Sequence, residues 1–290
     1  MVTLDDLNAM PAADFAAALD GVFEDAPWVA RQVAAARPFA TVAALHTALL
    51  GAVRAAPAGD VAGFLRGHPE LSGAAALAGT MGDASAAEQR ALGLDQPAED
   101  MAALNAAYRG RFGMPFIVCV RRHTRPSLMA QFRRRLGHDP AAEQVAALEE
   151  VGHISRLRLV DRVSGPGAPV VTGSLTTHVL DTALGRPAAG VPVSLFEVGG
   201  GAAVPLASAV TDGQGRTAAP LLHGAPLRMG QYELRFDVAG LFTGLLAGTG
   251  AAGPSFLDVI PIRFGISEPE AHYHIPLLVS PGAYSTYRGS

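Results

Sequence analysis

The 290-residue sequence carries 49% hydrophobic residues and a formal charge of −4 with acids and bases interspersed. It is long enough for two cores, and it offers no broad basic surface for nucleic acid or anionic lipid. All 22 basic residues are arginine, which excludes Schiff-base chemistry, a pyridoxal phosphate anchor and a P-loop lysine and leaves His, Glu, Asp, Arg, Tyr, Ser, water or a metal to do any chemistry.

The N-terminus Met1-Val2-Thr3-Leu4-Asp5-Asp6 lacks the basic-then-apolar build of a signal peptide, and no apolar run reaches the roughly 18 residues that span a bilayer, so the cytoplasm is the expected location. From residue 1 to about 163 the apolar spacing is helical: Val42, Leu45, Leu49 and Val53 recur at three or four, as do Met101, Leu104 and Tyr108, and Leu128, Phe132 and Leu136. Roughly seven or eight helices are expected. Thr41 reads as an N-cap, and Asp139, Pro140 and Glu143 as an N-cap, a first-position proline and a first-turn acid. Ser85 and Glu88 match a capping box by spacing, in which each side chain satisfies the other's backbone donor. His68, before Pro69, is by itself a turn residue with a solvated ring. Cys119, the single cysteine, lies in the apolar run Pro115 to Val120 and reads as core. The arginines Arg121, Arg122, Arg125, Arg133, Arg134 and Arg135 read as a solvated helix face.

Residues 164–170 hold two glycines and two prolines without periodicity, which fits a short exposed hinge. Beyond it the period changes to two. Gln231 to Val238 alternates strictly, and Leu175 to Leu180, Val191 to Val198, Phe256 to Phe264 and His272 to Val279 follow suit between glycine-rich turns. The fold class is therefore multidomain: an all-α domain over 1–163, a linker over 164–170, and an all-β antiparallel sandwich over 171–290.

In the β half, His272 and His274 lie two apart on one strand face. They could be solvent-facing, or two ligands of a zinc ion whose third ligand has no evident source. His178 shares a face with Thr176 and Leu180, Arg216 follows a glycine-rich turn, and Tyr287 to Ser290 would be a frayed tail if judged alone.

Several separated motifs of the first half nonetheless occur in a shared order: His68-Pro69-Glu70-Leu71, Ser85 with Glu88-Gln89-Arg90-Ala91-Leu92-Gly93-Leu94, Leu104-Asn105 with Tyr108, Phe112 to Val120, and Ile154-Ser155-Arg156-Leu157-Arg158-Leu159. Together they resemble the family of decarboxylases acting on 2-oxo-4-hydroxy-4-carboxy-5-ureidoimidazoline (OHCU), over essentially all of residues 1–163. The His153-Ile154-Ser155 run stands where such proteins often carry a lysine. The resemblance implies that His68 is the catalytic imidazole with Glu88 as its partner, and that Arg158 meets the substrate carboxylate. It further implies that Pro69, Ser85, Gln89 and the backbone at Phe116, Ile117, Val118, Cys119 and Val120 hold the rest of the substrate.

The second half resembles the hydroxyisourate hydrolases, the enzymatic members of the transthyretin family. The resemblance rests on Leu175 to Asp181, Thr211-Asp212-Gly213-Gln214-Gly215-Arg216, His272 to Pro281 and the ending Tyr284 to Ser290. It implies a transthyretin-like sandwich, a tetramer whose sites line a channel between dimers, catalytic His178, Arg216, His274 and Tyr287, and nearby His272 and Ser290. Dimer contacts through the helical half are a further possibility. The expected activity is hydrolysis of 5-hydroxyisourate to OHCU followed by decarboxylation to (S)-allantoin, with no cofactor and no metal. The alternative is a transthyretin-like carrier of small molecules with a non-catalytic helical scaffold.

Overall fold

A computed structural model of the chain describes residues 1–72, 82–94, 99–199, 201–242 and 254–289. It divides into two compact units, 1–121 with 127–171, and 122–126 with 172–290.

The first unit holds nine α-helices among the described residues: α1 (Leu4–Ala9), α2 (Ala12–Ala18), α3 (Pro27–Val33), α4 (Val42–Ala55), α5 (Ala58–Arg66), α6 (Asp83–Arg90), α7 (Glu99–Phe112), α8 (Arg125–Arg135, whose first two residues count with the second unit) and α9 (Pro140–Val160). Thr41 caps α4 by accepting from Ala44 N at 3.0 Å, and the expected stripe Val42, Leu45, Leu49 and Val53 is buried. Asp139 caps α9, with Pro140 at its first position. Leu4, Leu7, Phe15, Tyr108 and Phe132 are among the fully enclosed side chains of this core, each stabilising the fold by about 1.5–3 kcal/mol. Two short strands, β1 (Val2–Thr3) and β2 (Val163–Ser164), pair in parallel and tie the unit's ends together. No single helix among the described residues is long and apolar enough to cross a membrane.

Two local expectations change. Residues 165–168 are exposed but docked: Pro166 O and Gly167 O accept from Val42 N and Ala43 N at 3.0 and 3.2 Å. They satisfy donors that the start of α4 leaves open. The arginine cluster is not wholly solvated. Arg135 is 2% exposed and pairs with fully buried Glu143, and Arg122 pairs with Glu270 at 3.4 Å, because an arginine loses little on burial when its planar fork finds a carboxylate.

The second unit is a sandwich of two four-stranded sheets. One runs β10 (Ala283–Thr286), β9 (His272–Ser280), β3 (Ser174–Asp181), β4 (Arg186–Pro187); the other runs β6 (Ala202–Val210), β5 (Pro192–Gly199), β7 (Gly230–Asp237), β8 (Val259–Ile266). All pairings are antiparallel except β3 with β9. Leu175, Val179, Tyr273 and Leu277 from the first sheet and Val193, Leu195, Leu234 and Phe236 from the second form the core. Strand β6 carries no alternation because it is an edge whose residues are largely exposed. It accommodates Pro205 beside a register shift at Leu195/Phe196, where a missing N–H costs little.

Candidate active sites

In the helical unit, one pocket is lined by His68, Pro69, Ser85, Glu88, Gln89, Phe116, Ile117, Val118, Val120 and Arg158, with Glu24, Leu71 and Ile154 completing it. His68 sits just past α5. Its Nδ1 bonds Phe64 O at 3.0 Å and its ring stands edge-on to Phe64 at 4.7 Å. A carbonyl only accepts, so the neutral ring carries its proton on Nδ1 and keeps a lone pair on Nε2. Burial holds the His68 pKa below the ordinary histidine value, helped by Arg158 and opposed by the Phe64 carbonyl and Glu24.

Helix α6 starts at Asp83 with Gly82 as its N-cap, so Ser85 lies inside the first turn and is not a cap. Spacing of three and four then turns Ser85, Glu88 and Gln89 toward the pocket. Arg158, 5% exposed, spends its donors on the residues around it. Nη1 reaches Glu24 Oε2 at 2.6 Å and Gly21 O at 3.3 Å, Nη2 reaches Ser85 Oγ at 2.9 Å and Glu88 Oε2 at 3.0 Å, and Nε reaches Glu88 Oε1 at 3.3 Å. A guanidinium has five N–H groups, and all are taken. Burial pushes the Glu24 carboxyl up, but its bonds to Arg158 and Ser85 outweigh this and leave it below the usual range. Gln89 Oε1 accepts from Ser72 N at 2.9 Å and its Nε2 donates to Glu70 O at 3.2 Å, which leaves one amide hydrogen for a ligand.

The far wall, 116–120, is held from behind. Phe116 stacks on Phe132 at 4.0 Å, the Arg135 guanidinium lies over Phe116 at 4.6 Å and donates to Ile117 O at 2.8 Å, and Cys119 N donates to Glu150 Oε2 at 2.8 Å.

In the β unit, the turn Asp212–Arg216 is closed by Asp212 Oδ1, which accepts from Gln214 N at 2.8 Å and Arg216 N at 3.1 Å. Gly215 has φ +70°, and a Cβ there would lie 2.3 Å from Val179 O; only glycine allows the turn to pack on β3. Arg216 is thereby bridged to His178. The β3–β9 register puts Thr176 opposite His274 and Ser174 opposite His272, and Thr176 Oγ1 contacts His272 Nε2 at 2.8 Å and His274 Nδ1 at 2.9 Å. Near the chain end, the Gly289 N–H donates to His274 O at 2.8 Å. Burial, then Arg216, lowers the pKa of His178, against a bond to the Gln214 backbone and the charge of Asp212. Burial, Arg216, His272 and His178 lower that of His274. Both rings are therefore biased toward the neutral form at pH 7. His178 Nε2 is buried and has no partner.

The OHCU decarboxylase family model matches residues 8–160, and the HIUase/Transthyretin family model matches residues 175–289. A 5-hydroxyisourate hydrolase of Deinococcus radiodurans is 53% identical over 116 residues, 40% of this chain and 95% of that protein. A 2-oxo-4-hydroxy-4-carboxy-5-ureidoimidazoline decarboxylase of Haloferax volcanii is 35% identical over 167 residues, 56% of this chain and 97% of that protein. The chain belongs to the OHCU decarboxylase family through its helical half and to the HIUase/transthyretin family through its β half. A crystal structure of (S)-allantoin synthase aligns over 100% of both chains at 34% identity and a TM-score of 0.53, so the order of the fused halves is also shared.

Within the decarboxylase half, the structure assembles His68, Pro69, Ser85, Glu88, Gln89, Arg158 and the 116–120 wall, with differences in detail. Glu88 binds Arg158, and the His68 ring is oriented by Phe64 O instead. Cys119 is absent from the lining, since its N–H turns to Glu150 and its side chain is 1% exposed. Glu24 is not marked by any local motif, since an acid ahead of Pro27 looks like an ordinary helix-start residue; only the fold brings it to Arg158. In the hydrolase half, His178, Arg216, His272 and His274 share one neighbourhood. Tyr287 is 57% exposed, and Ser290 lies outside the described residues. Thr176 carries no signal of its own in the sequence, where it is one more polar residue on a strand face. Among the described residues no group of three or more His, Cys, Asp or Glu side chains could hold a metal ion.

Proposed function

We propose that the two halves, taken as separate units over 1–163 and 171–290, catalyse consecutive steps. The β half opens 5-hydroxyisourate with water to give OHCU, and the helical half removes carbon dioxide from OHCU to give (S)-allantoin. What supports this reading is that His68, Ser85, Glu88, Gln89 and Arg158 line one pocket and that His178, Arg216, His272 and His274 lie together on one sheet face, each group around an imidazole with an unengaged nitrogen, Nε2 of His68 and Nε2 of His178.

In the hydrolase half, a neutral imidazole takes a proton from the attacking water, and Arg216 holds the carbonyl oxygen as negative charge develops on it. In the decarboxylase half, the electron pair left by carbon dioxide passes into the adjacent ring C=N, so no electron-sink cofactor is required. His68 Nε2 receives the substrate hydroxyl proton and returns it to one face of the carbon bearing the ureido group, and the ring nitrogen takes a proton from water. Delivery to one face sets the handedness of the product. Arg158 meets a substrate carboxylate by exchanging one of its present partners, with Ser85 the neutral one.

Assembly completes the hydrolase site. Thr176, His178 and His274 lie half-buried on one outward sheet face with exposed His272, a polar surface suited to lining a water-filled channel between copies of the chain. A homo-tetramer through the β half follows, with Tyr287 and the chain end contributing to sites between copies. Fusion of the halves keeps the second site near the first product.

The test is to supply freshly generated 5-hydroxyisourate to the intact chain, following its ultraviolet absorbance and the circular dichroism of the product. Accelerated decay followed by a single-handed signal is expected. Slowed decay without dichroism would identify a carrier and end this reading.

A further inference from the structure

Thr176 touches both imidazoles of the β3–β9 face, His272 Nε2 at 2.8 Å and His274 Nδ1 at 2.9 Å. A hydroxyl has one proton and two lone pairs. Its third contact, Tyr273 O at 3.5 Å, is too long to compete for that proton. The proton therefore goes to one ring, and the other ring donates an N–H to the hydroxyl oxygen.

Two arrangements satisfy these bonds. In the first, His272 Nε2–H donates to Thr176, Thr176 donates to His274 Nδ1, and His274 carries its own proton on Nε2. In the second, every proton has moved one place: His272 is protonated on Nδ1, Thr176 donates to His272 Nε2, His274 Nδ1–H donates to Thr176, and His274 Nε2 is a lone pair. Passing from the first to the second admits one proton at His272 Nδ1 and releases one from His274 Nε2. The reverse passage does the opposite, and both rings are neutral at either end.

We propose that Thr176 is a positioning residue, the middle link of a proton wire between solvent at His272 and Nε2 of His274. The inference rests on the reading of this face as a hydrolase site. Ring opening needs traffic in both directions, since the attacking water must lose a proton and the departing ring nitrogen must gain one. His272 is exposed and His274 is half-buried, so the wire has a wet end and a sheltered end. Arg216, His178 and His272 are the charged and titratable groups that act on His274. Its ring is also packed in place: a Cβ on Gly289 would lie 2.7 Å from His274 Cδ2.

The experiment compares Thr176→Val, which keeps the shape and removes the hydroxyl, with Thr176→Ser, which keeps the hydroxyl, in the full chain with 5-hydroxyisourate as substrate. Thr176→Val is expected to lower kcat by about 10- to 100-fold with little change in KM, and to lose the part of the solvent deuterium isotope effect that several coupled protons produce. Thr176→Ser retains both. Nitrogen NMR of labelled histidines shows altered tautomers at His272 and His274 in the valine variant alone. Decarboxylation of supplied OHCU is unchanged in both variants, which confines the effect to the β half, and the β-sheet dichroism and melting of both variants match the wild type, which reports an intact fold there. Wild-type kcat and isotope effect in Thr176→Val, or equal damage in Thr176→Ser, overturns the wire alone. An intact chain that fails to speed hydrolysis overturns the functional reading together with it.

Discussion

The two sites hold related small heterocycles in opposite ways. The helical pocket is walled by one chain from the loop after α5, from α6 and α9 and from the 116–120 segment, and its cation, Arg158, is saturated by Glu24, Ser85, Glu88 and Gly21 O. The β site is spread over a sheet face, and its cation, Arg216, is exposed and joins no ion pair among the described residues. A pocket enclosed by its own chain needs internal counter-charges to make burial of a guanidinium tolerable. A site on an open sheet face can keep its cation free until substrate arrives. The difference predicts where each half is fragile, in its interior for one and at its surface for the other.

The largest effects separate the sites outright. His68→Ala should lower OHCU decarboxylation by about 10²- to 10⁴-fold and leave 5-hydroxyisourate decay intact, while His178→Ala should do the reverse. Absorbance reads the first step and dichroism the second. Loss of both activities from either substitution would mean that the halves are not independent.

A smaller effect tests the saturated cation. Glu24→Gln leaves Arg158 with one charged partner fewer and should slow decarboxylation by about 10-fold and destabilise the helical unit by about 1–3 kcal/mol, hydrolysis being unaffected. Chemical denaturation and OHCU turnover check it. Wild-type behaviour in both would show that Glu24 is not part of the hub that shapes the pocket.

The smallest effect is a pH dependence in the helical unit. His46 contacts Ser155 Oγ at 3.0 Å, and burial, with help from Arg156 and Arg54, lowers its pKa from 6.5 to about 4. Between those values the unfolded chain binds a proton that the folded chain does not, so stability falls as pH falls through that window. Melting of the helical dichroism at several pH values should show the decline, and His46→Gln should flatten it. An equal slope in the variant would place the titration elsewhere.

The architecture was legible because period three-to-four spacing up to residue 163 and period-two alternation after it are direct consequences of which face each element buries. Local caps such as Thr41 and Asp139 were equally plain. Ser85 and Glu88 show the limit: their spacing fits a capping box, yet the helix begins two residues earlier and both side chains serve Arg158. Glu24 lies 134 positions from Arg158, and no local pattern carries a contact of that range. Motif resemblance pointed to His68, His178 and His274, whereas their partners, Phe64 O, the Gln214 backbone and Thr176, are brought to them only by the fold.

The central claim is that each half carries one chemical step independently of the other half. It is tested most directly by mixing His68→Ala chain with His178→Ala chain and supplying 5-hydroxyisourate. Each alone should fail to give prompt (S)-allantoin, and the mixture should restore it as OHCU made by the first is consumed by the second. A mixture that shows no restored dichroism, although each variant keeps its own half-reaction, would contradict the account.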